Sequence, residues 1–537
     1  MSESVSQRLR SLRERGCVDC LRNALHGIEK ESLRVDAAGH IAKTPHPPGL
    51  GSALTHERIT TDYSEALLEF VTPPYRNLGE TLDDLMSLHA HAAQILREQD
   101  EMLWATSMPC VLGGDADIPI AEYGSSNSGR MRHVYRRGLG YRYGRAMQVI
   151  SGVHYNFSLP ESFWKLFARS ELPGLPLREV RDRFYFGLIR NFQRRGWLLP
   201  FLFGASPAVC KSFLQGGTAY FEAFDSNTLY DRWATSLRMS DIGYKNKNQA
   251  GLGISYNDLE SYTRTLERAT RTPDPEYERI GLRADGEYRQ LNANLLQIEN
   301  EYYSFIRPKQ PTRPGERPVH ALRRRGVDYI EVRALDVNAF HPLGVDAPQL
   351  RFVEAFLIYC LLLESPPLSV EEEREIDVNQ ERVACRGRQP GLRLLRDART
   401  VSLQEWAGEI LSGMEGICEL LDENHAGSEY REALDIQKAR LEDPDRTPSA
   451  RMLAEMRDRE MSFFDYALEL SRQHMRTYLE HPLDNKLLEQ LRRDAATSLE
   501  RQREIEAGEE LDFEAYLARY FEPLQSESGE DAAAPRY

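Results

Sequence analysis

Two segments near the start of the chain decide its fold: GIEKESLRV at residues 27–35 and TTDYSEALLEFV at residues 60–71. Both are rich in branched and aromatic residues, and Gly and Pro punctuate the link between them, so we predict two strands. Because side chains alternate along a strand, Glu29 and Glu31 are expected to point the same way, while Glu69 stands in an apolar run. A carboxylate in such a run is costly to bury unless a cation neutralises it.

Several carboxylates that converge on one face of a sheet favour a hard cation with oxygen ligands, such as Mg2+. The alternative for each glutamate is a solvated side chain on the wet face of a half-buried sheet. That alternative is favoured for any single residue and disfavoured for the set. The sequence therefore predicts a candidate metal site on this sheet.

The composition of the whole chain limits its class. With 537 residues, 41% hydrophobic and 28% charged, it is typical of a globular protein. The net charge of -15 argues against a nucleic-acid partner or an anionic membrane surface, so anionic substrates would need locally placed cations. Seven cysteines make no disulfide framework, and one C-x-x-C at Cys17 and Cys20 is interpreted as incidental. Without an apolar signal segment, and with its longest apolar run too short for a bilayer, the chain is expected to be cytoplasmic.

Two further segments predict strands with polar chemistry on one face. In SGVHYNFSL at residues 151–159, apolar residues alternate with polar ones, which places His154 on the wet or ligand-facing side. A lone histidine in such a place is more often structural. The strand at residues 327–336 brings Glu331 and Arg333 to one face, where they could serve a cation and an anion or form a simple ion pair.

From about residue 345 the pattern becomes helical almost to the end. We predict one catalytic domain over residues 1–525 and a disordered tail over residues 526–537. Apolar pieces at residues 198–205 and 295–303 are interpreted as further strands. The predicted C-terminal helices lie near residues 348–364, 403–422, 449–480 and 486–506.

The motifs that are missing exclude several common chemistries. The chain has no Walker-type phosphate loop, no G-x-G-x-x-G, no G-x-S-x-G and no H-E-x-x-H. Strands that offer carboxylates, one histidine and several Arg and Tyr suit phosphoryl transfer, in which Mg2+ bridges nucleotide phosphates and Arg stabilises the transferred group. Glycoside hydrolysis is the alternative, but its catalytic pair needs only two acids and five Trp give little surface for sugar stacking. From the residues alone, phosphoryl transfer is modestly favoured.

The chain contains, in this order, the stretches GIEKESLRV, GSALTH at residues 51–56, TTD at 60–62, residues 65–73, SGVHYNFSLP at 151–160, FGASPA at 203–208, residues 296–301 and YIEVR at 329–333. Through these stretches it resembles the glutamate–cysteine ligase family of the gamma-proteobacterial type, also called gamma-glutamylcysteine synthetase. The resemblance covers roughly residues 20 to 350. It implies an α+β fold similar to that of glutamine synthetase, in which a curved antiparallel sheet forms an active-site funnel, with helices outside and a helical C-terminal portion.

The function that the resemblance implies is an ATP-dependent ligation. ATP phosphorylates the side-chain carboxylate of L-glutamate, the amine of L-cysteine attacks the gamma-glutamyl phosphate, and gamma-glutamylcysteine, ADP and phosphate form. This is the first step of glutathione biosynthesis. The resemblance also implies Mg2+, with Mn2+ as an alternative ion. Feedback inhibition by glutathione is an expectation, and a monomer is compatible with the resemblance.

The resemblance also implies roles for single residues. Arg333 would contact and stabilise the transferred phosphate, with Glu331 as a second catalytic residue. Tyr63 departs from a phenylalanine often seen in the family, so the size or polarity of that pocket could differ. The implied metal positions are Glu29, Glu31, Asp62, Glu69, His154 and Glu331. The implied positions of the cysteine pocket are Tyr63, Tyr135, Leu139, Gln148, Arg238, Tyr244 and Tyr303.

Two other interpretations stay open. A ligase of the same superfamily could join glutamate to another amine, because the acceptor pocket decides between amines. A catalytically inactive relative could serve as a binding protein, although the presence of all six implied metal positions and of Arg333 argues against it.

Overall fold

A computed structural model of the chain describes residues 3–14, 16, 18–214, 221–243, 249, 251–423 and 427–522. Three features predicted above lie outside these residues: Tyr244, Cys17 and the tail at residues 526–537.

The strands are numbered in chain order. They are β1 (Leu25–Asp36), β2 (Ile59–Thr61), β3 (Leu67–Val71), β4 (Glu101–Leu103), β5 (Gly152–Ser158), β6 (Ala208–Cys210), β7 (Glu222–Ala223), β8 (Thr228–Tyr230), β9 (Arg283–Ala284), β10 (Glu287–Tyr288), β11 (Ile306–Lys309), β12 (Tyr329–Asp336), β13 (Arg393–Arg396) and β14 (Arg399–Ser402).

The helices are numbered in the same way, and no helix of the described residues is long and apolar enough to cross a membrane. They are α1 (Glu3–Glu14), α2 (Val18–Arg22), α3 (Leu78–Arg97), α4 (Asn127–Tyr143), α5 (Glu161–Glu171), α6 (Leu177–Arg195), α7 (Leu198–Phe203), α8 (Leu259–Ala269), α9 (Pro275–Ile280), α10 (Pro318–Arg325), α11 (Ala347–Leu362), α12 (Val370–Arg386), α13 (Leu403–Asp422), α14 (Glu429–Glu442), α15 (Pro448–Asp458), α16 (Phe463–Glu480), α17 (Asn485–Ala507) and α18 (Phe513–Tyr520).

A seven-stranded antiparallel sheet positions the candidate site. Its strand order is β11-β12-β5-β1-β3-β2, and β4 pairs with the far end of β1. One face is dry: Val153, Tyr155 and Phe157 of β5 are fully buried, as their alternation predicts. On that face Lys30 and Phe70 contact His89 of α3. The opposite face carries the acidic residues. The predicted α+β architecture with an antiparallel sheet is confirmed by the strand pairing and the helices around it.

Two apolar segments that were predicted as strands fold differently. Residues 198–205 contain the helix α7, which is buried on all sides, and a run without polar residues has no period that separates helix from strand. Residues 295–303 form turns around a short 3-10 helix at Glu299–Glu301. Both glutamates of this turn are buried in ion pairs, with Arg317 and Arg142, which an alternating strand pattern does not reveal.

The C-terminal part is helical as predicted, with two differences. The helix predicted at residues 403–422 has the bounds of α13. The one predicted at 449–480 is two helices, because the chain leaves helical geometry at residues 459–462 between α15 and α16. The hairpin of β13 and β14 interrupts the helices, and its turn residues Asp397 and Ala398 have positive φ angles of 53° and 58°.

Candidate active site

The strand register gathers acidic side chains on one face of the sheet. Glu31 of β1 lies opposite Glu69 of β3, and Glu29 of β1 lies opposite His154 of β5. Residues directly opposite in an antiparallel pair project to the same side. Two adjacent strand pairs therefore place three carboxylates and one imidazole over the middle of the sheet.

His154 lies at the centre of this group. Its Nδ1 atom is 3.2 Å from Glu29 Oε2 and 3.7 Å from Glu331 Oε1, and its Nε2 atom is 3.8 Å from Glu31 Oε1. The ligand atoms of Glu29, His154 and Glu331 all lie within 4.8 Å of one another, and so do those of Glu31, Glu69 and His154. We call these five residues, which form two sets that share the histidine, the carboxylate cluster.

The β1–β3 end of the carboxylate cluster disfavours negative charge. Burial, followed by the charge of Asp62, raises the pKa of Glu31 to about 8. Burial and the neighbouring carboxylates also raise the pKa of Glu69 well above its ordinary value. Both shifts have the cause expected for like charges in a buried site, and a bound cation would reverse them.

The β12 end has the opposite character. Burial opposes ionisation of Glu331, but the charges of Lys309 and then Arg333 hold its pKa well below the ordinary value. Burial likewise opposes ionisation of Glu29, and a hydrogen bond with His154 leaves its pKa lowered. The sheet face therefore has one end rich in uncompensated acids and one end where cations support the acids.

Asp62 and Arg333 flank the carboxylate cluster. The Asp62 side chain is 45% exposed and lies 3.8 Å from Arg136 Nη2. It is not in either set of close ligand atoms, although its charge contributes to the raised pKa of Glu31 and Glu69. Arg333 Nη1 donates to Glu331 Oε1 at 3.0 Å. The structure thus puts five of the six implied metal positions together and Asp62 at the rim.

Most of the implied cysteine-pocket residues lie on or near α4. Tyr303 Oη donates to Gln148 Oε1 at 2.9 Å. Tyr63 is buried, and its hydroxyl lies against Gly140, where a Cβ atom would be 2.6 Å away. Leu139, the residue before that glycine, is buried, and Tyr135 one turn earlier is partly buried.

Among the described residues that the resemblance implies for the cysteine pocket, Arg238 contacts the strands of the carboxylate cluster. Its Nη2 donates to the Arg333 carbonyl at 3.0 Å, next to the register shift between β5 and β12. The guanidinium lies over Gly152, where a Cβ atom would be 2.1 Å from Nη2. The Gly152 N–H in turn donates to Glu31 Oε2 at 2.6 Å. Arg238 therefore connects the implied acceptor pocket with the metal positions.

Two residues of this face were missed by sequence reasoning. Asn156 Nδ2 donates to Glu29 Oε1 at 2.9 Å, and Lys309 Nζ lies 3.5 Å from Glu331 Oε2. The alternation of β5 placed Asn156 on the side of His154, which was a usable signal. Lys309 had no such signal, because its proximity depends on how the edge strand pairs.

Comparison with known proteins identifies the family. The family model described as glutamate-cysteine ligase matches residues 9–383. The chain belongs to the glutamate–cysteine ligase family. Curated relatives of the chain are named glutamate–cysteine ligase. One from Azotobacter vinelandii is 49% identical over 532 residues, 98% of this chain and 100% of the relative. One from Pseudomonas aeruginosa PAO1 is 49% identical over 520 residues, 97% of this chain and 98% of the relative.

Solved structures agree with this family. The crystal structure of glutamate–cysteine ligase from Francisella tularensis in complex with AMP matches with a TM-score of 0.88 and 37% identity, over 93% of this ligase and 97% of that chain. A bifunctional glutathione synthetase from Pasteurella multocida matches with a TM-score of 0.69 and 24% identity, over 88% of this ligase and 55% of that chain, which shows the fold alone. The predicted family is confirmed. The predicted function is confirmed with it: an ATP-dependent ligase that catalyses the first step of glutathione biosynthesis.

Proposed function

We propose that the carboxylate cluster is where this ligase activates glutamate. In the proposed reaction, the gamma-carboxylate of L-glutamate attacks the terminal phosphorus of ATP and ADP leaves. The amine of L-cysteine then attacks the acyl carbon and phosphate leaves with the acyl oxygen. The observation that carries the proposal is the pair of ligand sets around His154, with Arg333 beside Glu331.

The residues of the carboxylate cluster fit Mg2+. Four carboxylates supply the oxygen ligands that this ion prefers, and Mn2+ tolerates the added imidazole. Two buried atoms of the cluster, Glu331 Oε2 and His154 Nε2, have no hydrogen-bond partner among the described residues. Burial and neighbouring carboxylates raise the pKa of Glu31 and Glu69, as expected for acids that bound cations would neutralise. Bound Mg2+ would supply neutralisation of the phosphate charge. We propose all six implied positions as ligands of bound magnesium ions, Asp62 from the rim.

We propose distinct roles for the flanking residues. The fixed charge of Arg333, oriented by Glu331 at 3.0 Å, would stabilise the transferred phosphoryl group, where preorganised charge is most effective. We propose that the residues carried over from the resemblance bind the cysteine substrate, with the Tyr303–Gln148 hydrogen bond as one wall of its pocket. These are Tyr63, Tyr135, Leu139, Gln148, Arg238, Tyr244 and Tyr303.

ADP release in the presence of Mg2+ and L-glutamate tests the reaction. We expect strong stimulation by L-cysteine and by its isostere L-2-aminobutyrate, and none by ammonia. Stimulation by ammonia alone would point to an activity like that of glutamine synthetase. No release from a folded protein under any condition would favour the binding-protein interpretation.

Variants test the site assignment. Glu331→Gln and Arg333→Ala should each lower turnover by about a hundredfold or more, the size of effect seen when one preorganised group is removed from a transition state. Glu500→Gln on the exposed face of α17 is the matched control and should leave turnover unchanged. Near-normal turnover in either site variant, with the fold intact by circular dichroism, would contradict the assignment.

A further inference from the structure

The edge strand β11 brings a lysine to the carboxylate cluster that the proposed reaction has not yet used. Arg307 of β11 lies opposite Glu331, and Lys309 lies opposite Tyr329. Because residues two apart on a strand share a face, Lys309 projects to the same side as Glu331 and Arg333. Lys309 thus lies on the strand next to β12, which carries Arg333, the residue that we propose stabilises the transferred phosphate.

The ammonium of Lys309 has N–H donors available for a further hydrogen bond. It carries three N–H donors, and its ion-pair partner among the described residues is Glu331, whose Oε2 atom lies 3.5 Å away, farther than in a normal hydrogen bond. The lysine side chain is 31% exposed, whereas that of Glu331 is 1% exposed. The ammonium can therefore accept a further anionic partner from the open side of the sheet.

Local charge favours an anion at this end of the sheet. This end holds two acids with lowered pKa, Glu29 and Glu331. Three cations, Lys309, Arg333 and Arg307, act on Glu331, so positive charges outnumber the acids here. Arg307 donates to the main-chain carbonyls of Asn300 and Tyr302, which fixes it as a support of the neighbouring turn. The protein as a whole carries a net charge of -15, so an anion can be attracted only where a local excess of positive charge exists.

We propose that Lys309 binds a distal phosphate of the nucleotide, the β- or γ-phosphoryl group of ATP. This inference rests on the proposed function of the carboxylate cluster and adds a residue to it. Lysine suits the task, because its compact ammonium acts as a point charge on a phosphate without demanding two-pronged geometry. The acid-rich end at β1–β3 would then face the cations that accompany the nucleotide, and Lys309 and Arg333 would face its phosphates directly.

Binding of nucleotides with different numbers of phosphates tests this inference. Calorimetric titrations in Mg2+ would compare AMP, ADP and the non-hydrolysable analogue AMPPNP on the wild-type chain, Lys309→Met, Lys309→Arg and the control Lys165→Met on α5, whose side chain is 60% exposed. We expect Lys309→Met to weaken AMPPNP at least tenfold and AMP less than twofold. Lys309→Arg should retain most of the affinity for AMPPNP, and the control should match the wild type.

Several outcomes would overturn the inference. They are an unchanged affinity of Lys309→Met for AMPPNP and an equal loss of affinity for AMP and AMPPNP. The melting temperature of each variant separates a binding effect from a loss of fold, and Lys309→Arg keeps the charge next to Glu331 if Lys309→Met is unstable. If the wild-type chain failed to bind AMPPNP in Mg2+, the proposed function itself would be wrong.

Discussion

Glu31 and Glu69 face each other across β1 and β3 in surroundings that disfavour their charge. Burial and Asp62 raise the pKa of Glu31 to about 8, against a reference value of 4.5 for an unperturbed Glu. Between these two values the folded protein holds a proton that the unfolded chain has released. The stabilisation from this proton is complete below about pH 4.5 and is lost as the pH rises through about 8, by about 1.4 kcal/mol per pH unit.

The first prediction follows from this sign. In protein freed of divalent cations, Glu31→Gln should melt near the wild-type temperature at pH 5 and progressively above it as the pH rises to 8.5. Only in the wild type does the unfolded chain gain stability by releasing this proton, which the folded protein keeps up to about pH 8. Differential scanning calorimetry with EDTA measures this. The difference in melting temperature between the wild type and the variant removes the effect of the groups that titrate in both proteins, including the buried histidines. A constant difference across this range would show that Glu31 ionises normally in the folded protein.

The second prediction concerns the contact between Arg238 and Gly152. A Cβ atom at position 152 would lie 2.1 Å from Arg238 Nη2, so Gly152→Ala must displace the guanidinium. We expect KM for cysteine to rise about tenfold or more while the affinity for AMPPNP changes little, the cost of one charge-assisted contact. Gly187→Ala on α6 is the control, because its nearest non-helical neighbour would be 3.6 Å away. An unchanged KM for cysteine would contradict the proposed role of Arg238.

At the scale of elements, alternation in the sequence predicted β1, β5 and β12 and the faces that their side chains occupy. The pairing of Glu31 with Glu69 was not in the sequence, because it depends on how a link of some 30 residues brings β3 back to β1. Register between distant strands is set by the whole core. The sequence could therefore predict that these carboxylates share one face of a sheet, but not which of them lie opposite each other. Arg238 comes from a short 3-10 turn at Leu237–Met239, and no periodicity placed it over β5.

The third prediction concerns α18, which packs against the start of α4. Phe513 of α18 is buried with Met131 and Val134 of α4, and the Arg130 guanidinium lies 4.4 Å from its ring centre. Phe513→Ala should destabilise this contact by about 3 kcal/mol or more, a usual cost of removing a buried aromatic ring. Because α4 also carries residues of the proposed cysteine pocket, we expect faster amide exchange across α4 and a higher KM for cysteine.

Hydrogen exchange followed by mass spectrometry measures the change in α4. The control is Ile505→Ala on α17, a hydrophobic residue that is 40% exposed and should leave α4 unaffected. Unchanged exchange in α4 of Phe513→Ala would mean that α18 only covers the surface of this region.

At the scale of the whole molecule, α11 joins the sheet to the C-terminal helices. It is buried along nearly its whole length and packs against α3, α6, α13 and α14. Its Glu354 accepts a hydrogen bond from Tyr430 of α14 at 2.8 Å and lies 3.9 Å from His26 of β1. One hydrophobic core accordingly runs from Val5 to Leu491. The single domain expected over residues 1–525 stays a prediction, which the following experiment tests.

The fourth prediction is that binding at the sheet stabilises the distant helices equally. A ligand at 100 times its Kd stabilises the folded state by about 2.7 kcal/mol, and in a single cooperative unit every deeply buried amide gains this protection. Hydrogen exchange with and without Mg2+ and AMPPNP at such a concentration should therefore slow the slowest amides of β1, β5, α13 and α16 by the same factor of about 100. Surface amides of α17, which exchange by local fraying, are the internal control. If protection rose in the sheet and not in α13 and α16, the C-terminal helices would unfold independently and the chain would hold two units rather than one.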